Sequence, residues 1–268
     1  MVGLEIFVIS LRDSNRRQFQ IKQFDKLNLG FNFLDACSTS DISKEIFDDN
    51  SLDWDRQLKI SELACYFSHR NLWTKISQKN NPCLILEDDA FISSDIKRIL
   101  NIIDKISSID LINLENRGRK KVVSMKPWKI ISGVNLYRLF HDTTGAAAYI
   151  LWPSGAKKLL RAEKQLGIAL ADAQIYRTKD LLSLQIEPSP VIQLDMCKNY
   201  GIELIKLKKL MGSSVSSKFR LNSNLRFKYK RIRTQLLLGI KLMYLSFFTR
   251  KRYIKISEKS TFLHKDFW

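Results

Sequence analysis

The chain has 268 residues, 45% of them hydrophobic, with 10 Gly, 5 Pro and a formal net charge of +18. That length and composition suffice to bury a substantial core and exclude disorder over most of the chain. The charge is unevenly placed: residues 201–268 hold 17 Lys or Arg against three acids, whereas residues 1–200 hold 28 basic and 24 acidic residues.

The four cysteines, Cys37, Cys65, Cys83 and Cys197, are scattered with no CxxC pair, which argues against a zinc module or a disulfide framework. The opening MVGLEIFVISLRD lacks a basic n-region, and Glu5 interrupts its short apolar stretch. It reads as a first strand rather than a signal peptide, so a reducing, cytoplasmic location is expected.

In chain order, residues 4–11 predict a strand, Arg16 to Leu29 a helix stopped by Gly30, and Phe31 to Ala36 a second strand. Together these form a β-α-β unit and favour a parallel sheet. A polar loop leads to a helix starting at Ser61 with Leu63, Phe67, Leu72, Trp73 and Ile76 as its apolar positions. The apolar run Cys83-Leu84-Ile85-Leu86 predicts a buried strand, followed by a helix from Ser94 to Ile106 and a short strand from Asp110 to Leu114. Residues 115–129 read as a basic loop, Ile130 to Phe140 as a hairpin, and Thr143 to Leu151 as a small-residue turn entering a strand. A helix over 153–162 follows, then Asp172 among apolar neighbours, and Val191 to Leu194 as the last core strand. Beyond Tyr200 the composition shifts. The expected division is a catalytic domain over 1–200 and a basic extension over 201–268.

The apolar run at 83–86 ends in three consecutive acids, Glu87, Asp88 and Asp89. Such a strand delivers carboxylates to the edge of a sheet, where their mutual repulsion calls for a cation. Oxygen ligands suit Mg²⁺ or Mn²⁺, which commonly take their remaining ligands from substrate phosphates. A solvated acidic turn is the competing interpretation.

Five pieces, VISLRDSNRR (Val8 to Arg17), FLDA (Phe33 to Ala36), ELACYFSHRNLW (Glu62 to Trp73), LILEDDA (Leu84 to Ala90) and TTGAAAYILWPSGAKKLL (Thr143 to Leu160), occur in this order. The ordered set resembles glycosyltransferase family 25, which includes bacterial lipooligosaccharide galactosyl- and glucosyltransferases. The resemblance implies an α/β, GT-A-like nucleotide-sugar-binding domain with a mostly parallel central sheet and EDD as its Asp-X-Asp element. By that analogy Asp89 is the principal metal ligand, with Glu87 or Asp88 touching the ribose or a metal-bound water, and Mn²⁺ is favoured over Mg²⁺. Ser68 and His69 would line the donor site, and Ser10, Arg12 and Arg17 would contact uridine or pyrophosphate at the end of the first strand. A satisfied structural role remains open for His69, and a solvated basic turn for Arg12.

An inverting transferase needs a carboxylate to take the acceptor hydroxyl's proton, and Asp172 is the first candidate, since an apolar setting raises a carboxyl pKa. Its alternatives are a helix-capping or surface aspartate, or acceptor binding. In the tail, LLLGIKLMYLSFF (236–248) is too short to span a bilayer and is flanked by cations. This suits a basic helical extension lying on an anionic membrane, where a lipid-linked oligosaccharide acceptor would be met at the cytoplasmic face. Packing of those apolar residues on the core is the plainer alternative. Two rival functions stand beside the transferase. The segment RFKYKRIR interleaves aromatics and cations as single-strand binders do, but the balanced charge of residues 1–200 argues against a nucleic-acid partner. A metal-dependent hydrolase would need further ligands, and His69, His141 and His264 form no evident set.

Overall fold

In a computed structural model, the described residues are 4–103, 105–142, 145–203 and 225–262. Up to the acids the order is β1 (Glu5–Ser10), α1 (Arg16–Leu27), β2 (Asn32–Asp35), α2 (Lys44–Asn50), α3 (Ile60–Ser77) and β3 (Cys83–Glu87). After them come β4 (Ala90–Ile92), α4 (Ile96–Ile103), β5 (Leu111–Asn113), β6 (Lys121–Ser124), β7 (Lys129–Ile131), β8 (Val134–His141) and β9 (Ala148–Leu151). The chain continues through α5 (Pro153–Leu166), α6 (Ala171–Arg177), β10 (Ser183–Glu187), β11 (Val191–Gln193), α7 (Leu225–Leu245), β12 (Thr249–Arg252) and α8 (Lys259–Phe262).

Ten strands form one twisted layer in the order β12-β6-β8-β10-β5-β9-β3-β1-β2, with β7 paired to β8. β1, β2, β3, β5, β6, β7 and β10 run one way, and β8, β9 and β12 the other. The sheet is therefore mostly parallel in direction yet mixed in its pairings, because the reversed strands β9 and β8 are interleaved. Alternate residues face opposite layers. Ile6, Val8, Leu84 and Leu86 pack with α1 and α4, while Phe7, Ile9, Cys83 and Ile85 pack with α3, α5 and α6. Burial on both faces explains why β1 and β3 read as continuous apolar runs.

Four strands, β4, β6, β10 and β12, escaped the sequence pattern. β6 lies inside the stretch expected to be a basic loop, where Lys121 conceals it; its ammonium is buried and bonded to the Gln185 side chain at 2.7 Å and the Glu115 carbonyl at 2.9 Å. β10 lies between β5 and β8, and β4 follows the acids directly. Val191 to Gln193 is not the last strand of the core: it pairs with β4 in a separate two-stranded sheet. Beneath that small sheet a third cluster joins Phe19, Phe91, Ile192, Leu194 and Phe262.

The expected division at residue 200 does not hold throughout. β12 extends the main sheet through β6, and Phe262 is fully buried. The Gly/Ser-rich link expected at 212–217 lies outside the described residues. α7 touches the core through Lys230 and Thr234, which donate to the Leu52 carbonyl and Asp55, but its apolar stripe is left uncovered: Tyr229, Ile232, Leu236, Ile240 and Met243, at helical spacing, and Phe247 just beyond its end are all exposed, whereas Leu245 is buried. Among the described residues no helix is long and apolar enough to cross a membrane.

Candidate active site

β3 lies between β1 and β9, and its end carries the three acids into the turn that starts β4. Two fully buried glutamines of α1 fix that turn. Gln20 Nε2 donates to the Asp88 carbonyl at 2.8 Å and the Ala90 carbonyl at 2.9 Å; Gln23 Nε2 also donates to Ala90, and Gln23 Oε1 accepts from the Ile92 amide. The Leu194 amide closes the turn on the Asp89 carbonyl at 2.9 Å. With its backbone groups so engaged, the turn presents its carboxylates from a rigid frame.

The three acids meet three different environments. Asp88 accepts from Ser10 Oγ at 2.8 Å, Ser14 Oγ at 2.7 Å and Arg16 at 3.0 Å, so its charge is satisfied within the fold. Glu87 stays partly exposed and accepts from His69 Nε2 at 3.1 Å. Asp89 is the opposite case. Its Oδ1 is buried and accepts no hydrogen bond, and burial, then the Glu87 charge, push its pKa well above the usual carboxylate range. A buried carboxylate oxygen without a donor is costly unless a cation completes it.

A chain of hydrogen bonds behind Glu87 sets the histidine tautomer. An indole N–H only donates, so Trp73 Nε1, 2.8 Å from the Tyr149 hydroxyl, gives its proton to that oxygen. The hydroxyl is then free to donate to His69 Nδ1 at 3.0 Å, leaving Nε2–H to donate to Glu87. All three residues behind the acid are fully buried. Trp73 and His69 sit one helical turn apart on α3, and β9 supplies Tyr149.

Asp172, at the start of α6, is pushed up to about 6 by burial, with smaller contributions from the Glu87 and Asp142 charges. The Cys65 thiol is raised by burial and then by the Glu87, Asp172 and Asp89 charges. Glu115, just after β5, is fully buried, with Oε2 accepting from the Ala147 amide at 3.0 Å and Oε1 without a partner. Burial pushes Glu115 up to about 8. A cavity of about 230 Å³ opens beside Asp172, walled by α6, β8, Asn113 and Gly145, with Lys241 of α7 on its rim.

Of the residues expected at a donor site, Ser10, His69, Glu87 and Asp88 come together with the metal candidate Asp89. The others are engaged elsewhere. Ser68 Oγ donates to the Ala64 carbonyl and accepts from the Cys37 amide at 2.9 Å, tying α3 to the segment after β2. Arg12 and Arg17 both pair with Asp35, and Arg17 also donates to the Ser10 and Leu11 carbonyls, closing the end of β1. Arg16 and Ser14, passed over in the sequence, hold Asp88 instead; their place beside the chosen Arg17 in the same turn was the available signal. Tyr149 and Glu115 gave none, because a tyrosine in an apolar strand and an acid before a basic stretch look ordinary.

The donor set fits a hard divalent ion. Asp89, with its unpartnered oxygen, and Glu87 would hold it through carboxylate oxygens. Cys65, His69 and Glu87 also bring ligand atoms within 4.8 Å of one another. The tautomer described above puts a proton on His69 Nε2, so that trio is a hydrogen-bonded support rather than a soft-metal site.

The sequence profile of "Glycosyltransferase family 25 (LPS biosynthesis protein)" matches residues 4–174. A Haemophilus influenzae protein provisionally described as a glycosyltransferase is 31% identical over 199 residues, covering 70% of this chain and 69% of that protein. Procollagen galactosyltransferase 1-B of Xenopus laevis is 26% identical over 69% of this chain, which spans 35% of that longer protein. A glycosyltransferase 25 family member of Anopheles gambiae is 27% identical over 59% of this chain and 28% of its own length.

Proposed function

The chain belongs to glycosyltransferase family 25, and on that premise we propose that it moves a hexose, galactose or glucose, from a UDP-sugar to a lipooligosaccharide acceptor with inversion at the anomeric carbon. The fold is read as a GT-A arrangement, with the nucleotide over the ends of β1 and β3. Asp89 and Glu87 would hold Mn²⁺, with Mg²⁺ as the alternative. The single observation carrying this reading is the buried, unpartnered Asp89 oxygen beside Glu87.

A divalent ion bound there would neutralise the nucleoside diphosphate as it leaves. Asp172 takes the proton from the acceptor hydroxyl as that oxygen bonds to the anomeric carbon; the bond from that carbon to the phosphate oxygen breaks, and its electron pair departs with UDP. His69, oriented by Tyr149 and Trp73, keeps the Glu87 carboxylate in one position. Asp88 locks the β1 turn through Ser10, Ser14 and Arg16.

The exposed apolar stripe of α7 and the basic balance of residues 201–268 support peripheral attachment to the cytoplasmic membrane face, where a lipid-linked acceptor is presented. The reading is tested by calorimetric titration of UDP into the full chain with and without Mn²⁺, repeated with Asp89→Asn. The expected result is Mn²⁺-dependent binding weakened at least tenfold in the variant. UDP affinity indifferent to both Mn²⁺ and the substitution would overturn it.

A further inference from the structure

The cavity beside Asp172 carries an excess of positive charge that the transfer chemistry does not use. Arg138 on β8, Lys179 just after α6 and Lys241 on α7 all line it. None of the three forms an ion pair among the described residues. The nearby acids are committed: Asp142 lies 2.7 Å from the buried Lys121 ammonium, Asp110 is bound by Lys158 at 2.6 Å, and Asp180 pairs with Arg161. Burial lowers the Arg138 pKa, and the protein around Lys241, followed by the Lys179 charge, lowers that of Lys241. Three cations from three separate elements are thus brought around one opening at a cost that an anion would offset.

We propose that this cavity binds the anionic group, a phosphate or carboxylate, of an acidic acceptor saccharide, with Arg138, Lys179 and Lys241 as its counter-charges. The assignment rests on the transferase reading, because it takes Asp172 as the acceptor side of the reaction centre. The donor diphosphate is assigned to Asp89 and Glu87, at and just after the end of β3, neither of which lines this cavity. Arg138 supplies a planar fork suited to a phosphate or carboxylate, while the two lysines supply mobile charge at the rim. An acceptor so held would keep its neutral hydroxyl-bearing ring beside Asp172, so the pocket selects for acidic saccharides rather than only tolerating them.

Glucose 6-phosphate and glucose serve as a matched charged and neutral probe pair, each titrated into the full chain with UDP and Mn²⁺ present. The measurement is repeated with Lys179→Gln combined with Lys241→Gln. Both lysines are exposed, so the fold should persist. Glucose 6-phosphate should bind at least about tenfold more tightly than glucose, and the double variant should erase most of that preference while leaving UDP affinity unchanged. Equal binding of the two sugars by the wild type would overturn the proposal. A parallel loss of UDP affinity would also overturn it, by assigning the cations to the donor diphosphate. Failure of UDP to bind the wild type, with the preference for the phosphorylated sugar intact and lost in the variant, would remove the donor reading and leave the anion site standing.

Discussion

The Tyr149 hydroxyl lies 3.0 Å from His69 Nδ1 and 2.8 Å from Trp73 Nε1, joining a strand to two turns of one helix in the middle of the protein. The indole can only donate and the Glu87 carboxylate can only accept, so with the imidazole proton on Nε2 the hydrogen bonds run from Trp73 to Tyr149, from Tyr149 to His69 Nδ1 and from His69 Nε2 to Glu87. Tyr149→Phe deletes the relay while preserving the ring. It leaves a buried indole N–H and an imidazole nitrogen unpaired, a loss of about 1–3 kcal/mol. Urea unfolding should show that destabilisation, and UDP titration with Mn²⁺ should show weaker binding. A variant as stable as wild type, with unchanged UDP affinity, would mean that the relay neither holds the fold nor positions Glu87.

Asp172 must be ionised to accept a proton, and its carboxyl is pushed up to about 6. Transfer should therefore decline as pH falls through about 6, with a single ionisation governing the acid limb. Asp172→Asn should lower kcat by about 10²- to 10⁴-fold while leaving UDP binding in place. A pH-rate profile flat down to pH 5 in the wild type, as an order-of-magnitude bound on where the limb falls, would reassign the base.

Glu115 gives a stability prediction with a definite sign. Its ordinary value is 4.5 and burial pushes it up to about 8, so between those values the folded protein holds a proton that the unfolded chain has released. Stability from this group is full below the unfolded value and is lost as pH rises towards the folded one. Glu115→Gln removes the titration, so the variant should gain on the wild type as pH increases across that window. Denaturant midpoints collected through it test this; parallel curves for the two proteins would contradict the assignment.

Along α7 and just beyond its end, Leu236, Ile240 and Phe247 are each more than half exposed. Replacing all three with serine should leave thermal stability within experimental error and weaken binding to vesicles containing anionic lipid, with little effect on the slight binding to neutral ones. Undiminished sedimentation with anionic vesicles would assign the stripe another role.

Much of the fold was legible because β1 and β3 are buried on both faces and so announce themselves as unbroken apolar runs. The helices α1, α3 and α5 were readable from the spacing of their apolar residues, although α1 stops at Asn28, in the left-handed conformation, and not at the expected Gly30. What escaped notice were elements whose residues contradict their surroundings: β6 contains a buried lysine, β4 begins immediately after three acids, and β10 carries Gln185 and Glu187 in a buried strand. At the site, Glu87, Asp88 and Asp89 were visible as a cluster, yet their separate fates depend on partners from distant segments. Asp88 is satisfied by Ser14 and Arg16, Glu87 is steered by a tyrosine on β9, and Asp89 is left unpartnered by the geometry of the turn. Arg12 and Arg17 stood at the right strand end, but Asp35 at the end of the neighbouring parallel strand claims both.

The residues that finish the described chain reach back to the acid turn. Ser93, just past β4, donates to Thr261 Oγ1 at 2.7 Å, the Ser94 amide donates to the Thr261 carbonyl, and the Phe262 ring lies 5.5 Å from that of Phe91. Segments 168 positions apart in sequence must therefore meet before β4 has its full packing. Contacts so distant form late in folding, and on the ribosome they cannot form until residue 262 has emerged. A nascent chain that has passed Asp172 but not yet Phe262 holds every acid of the site and still lacks the packing of Thr261 and Phe262 on Ser93, Ser94 and Phe91.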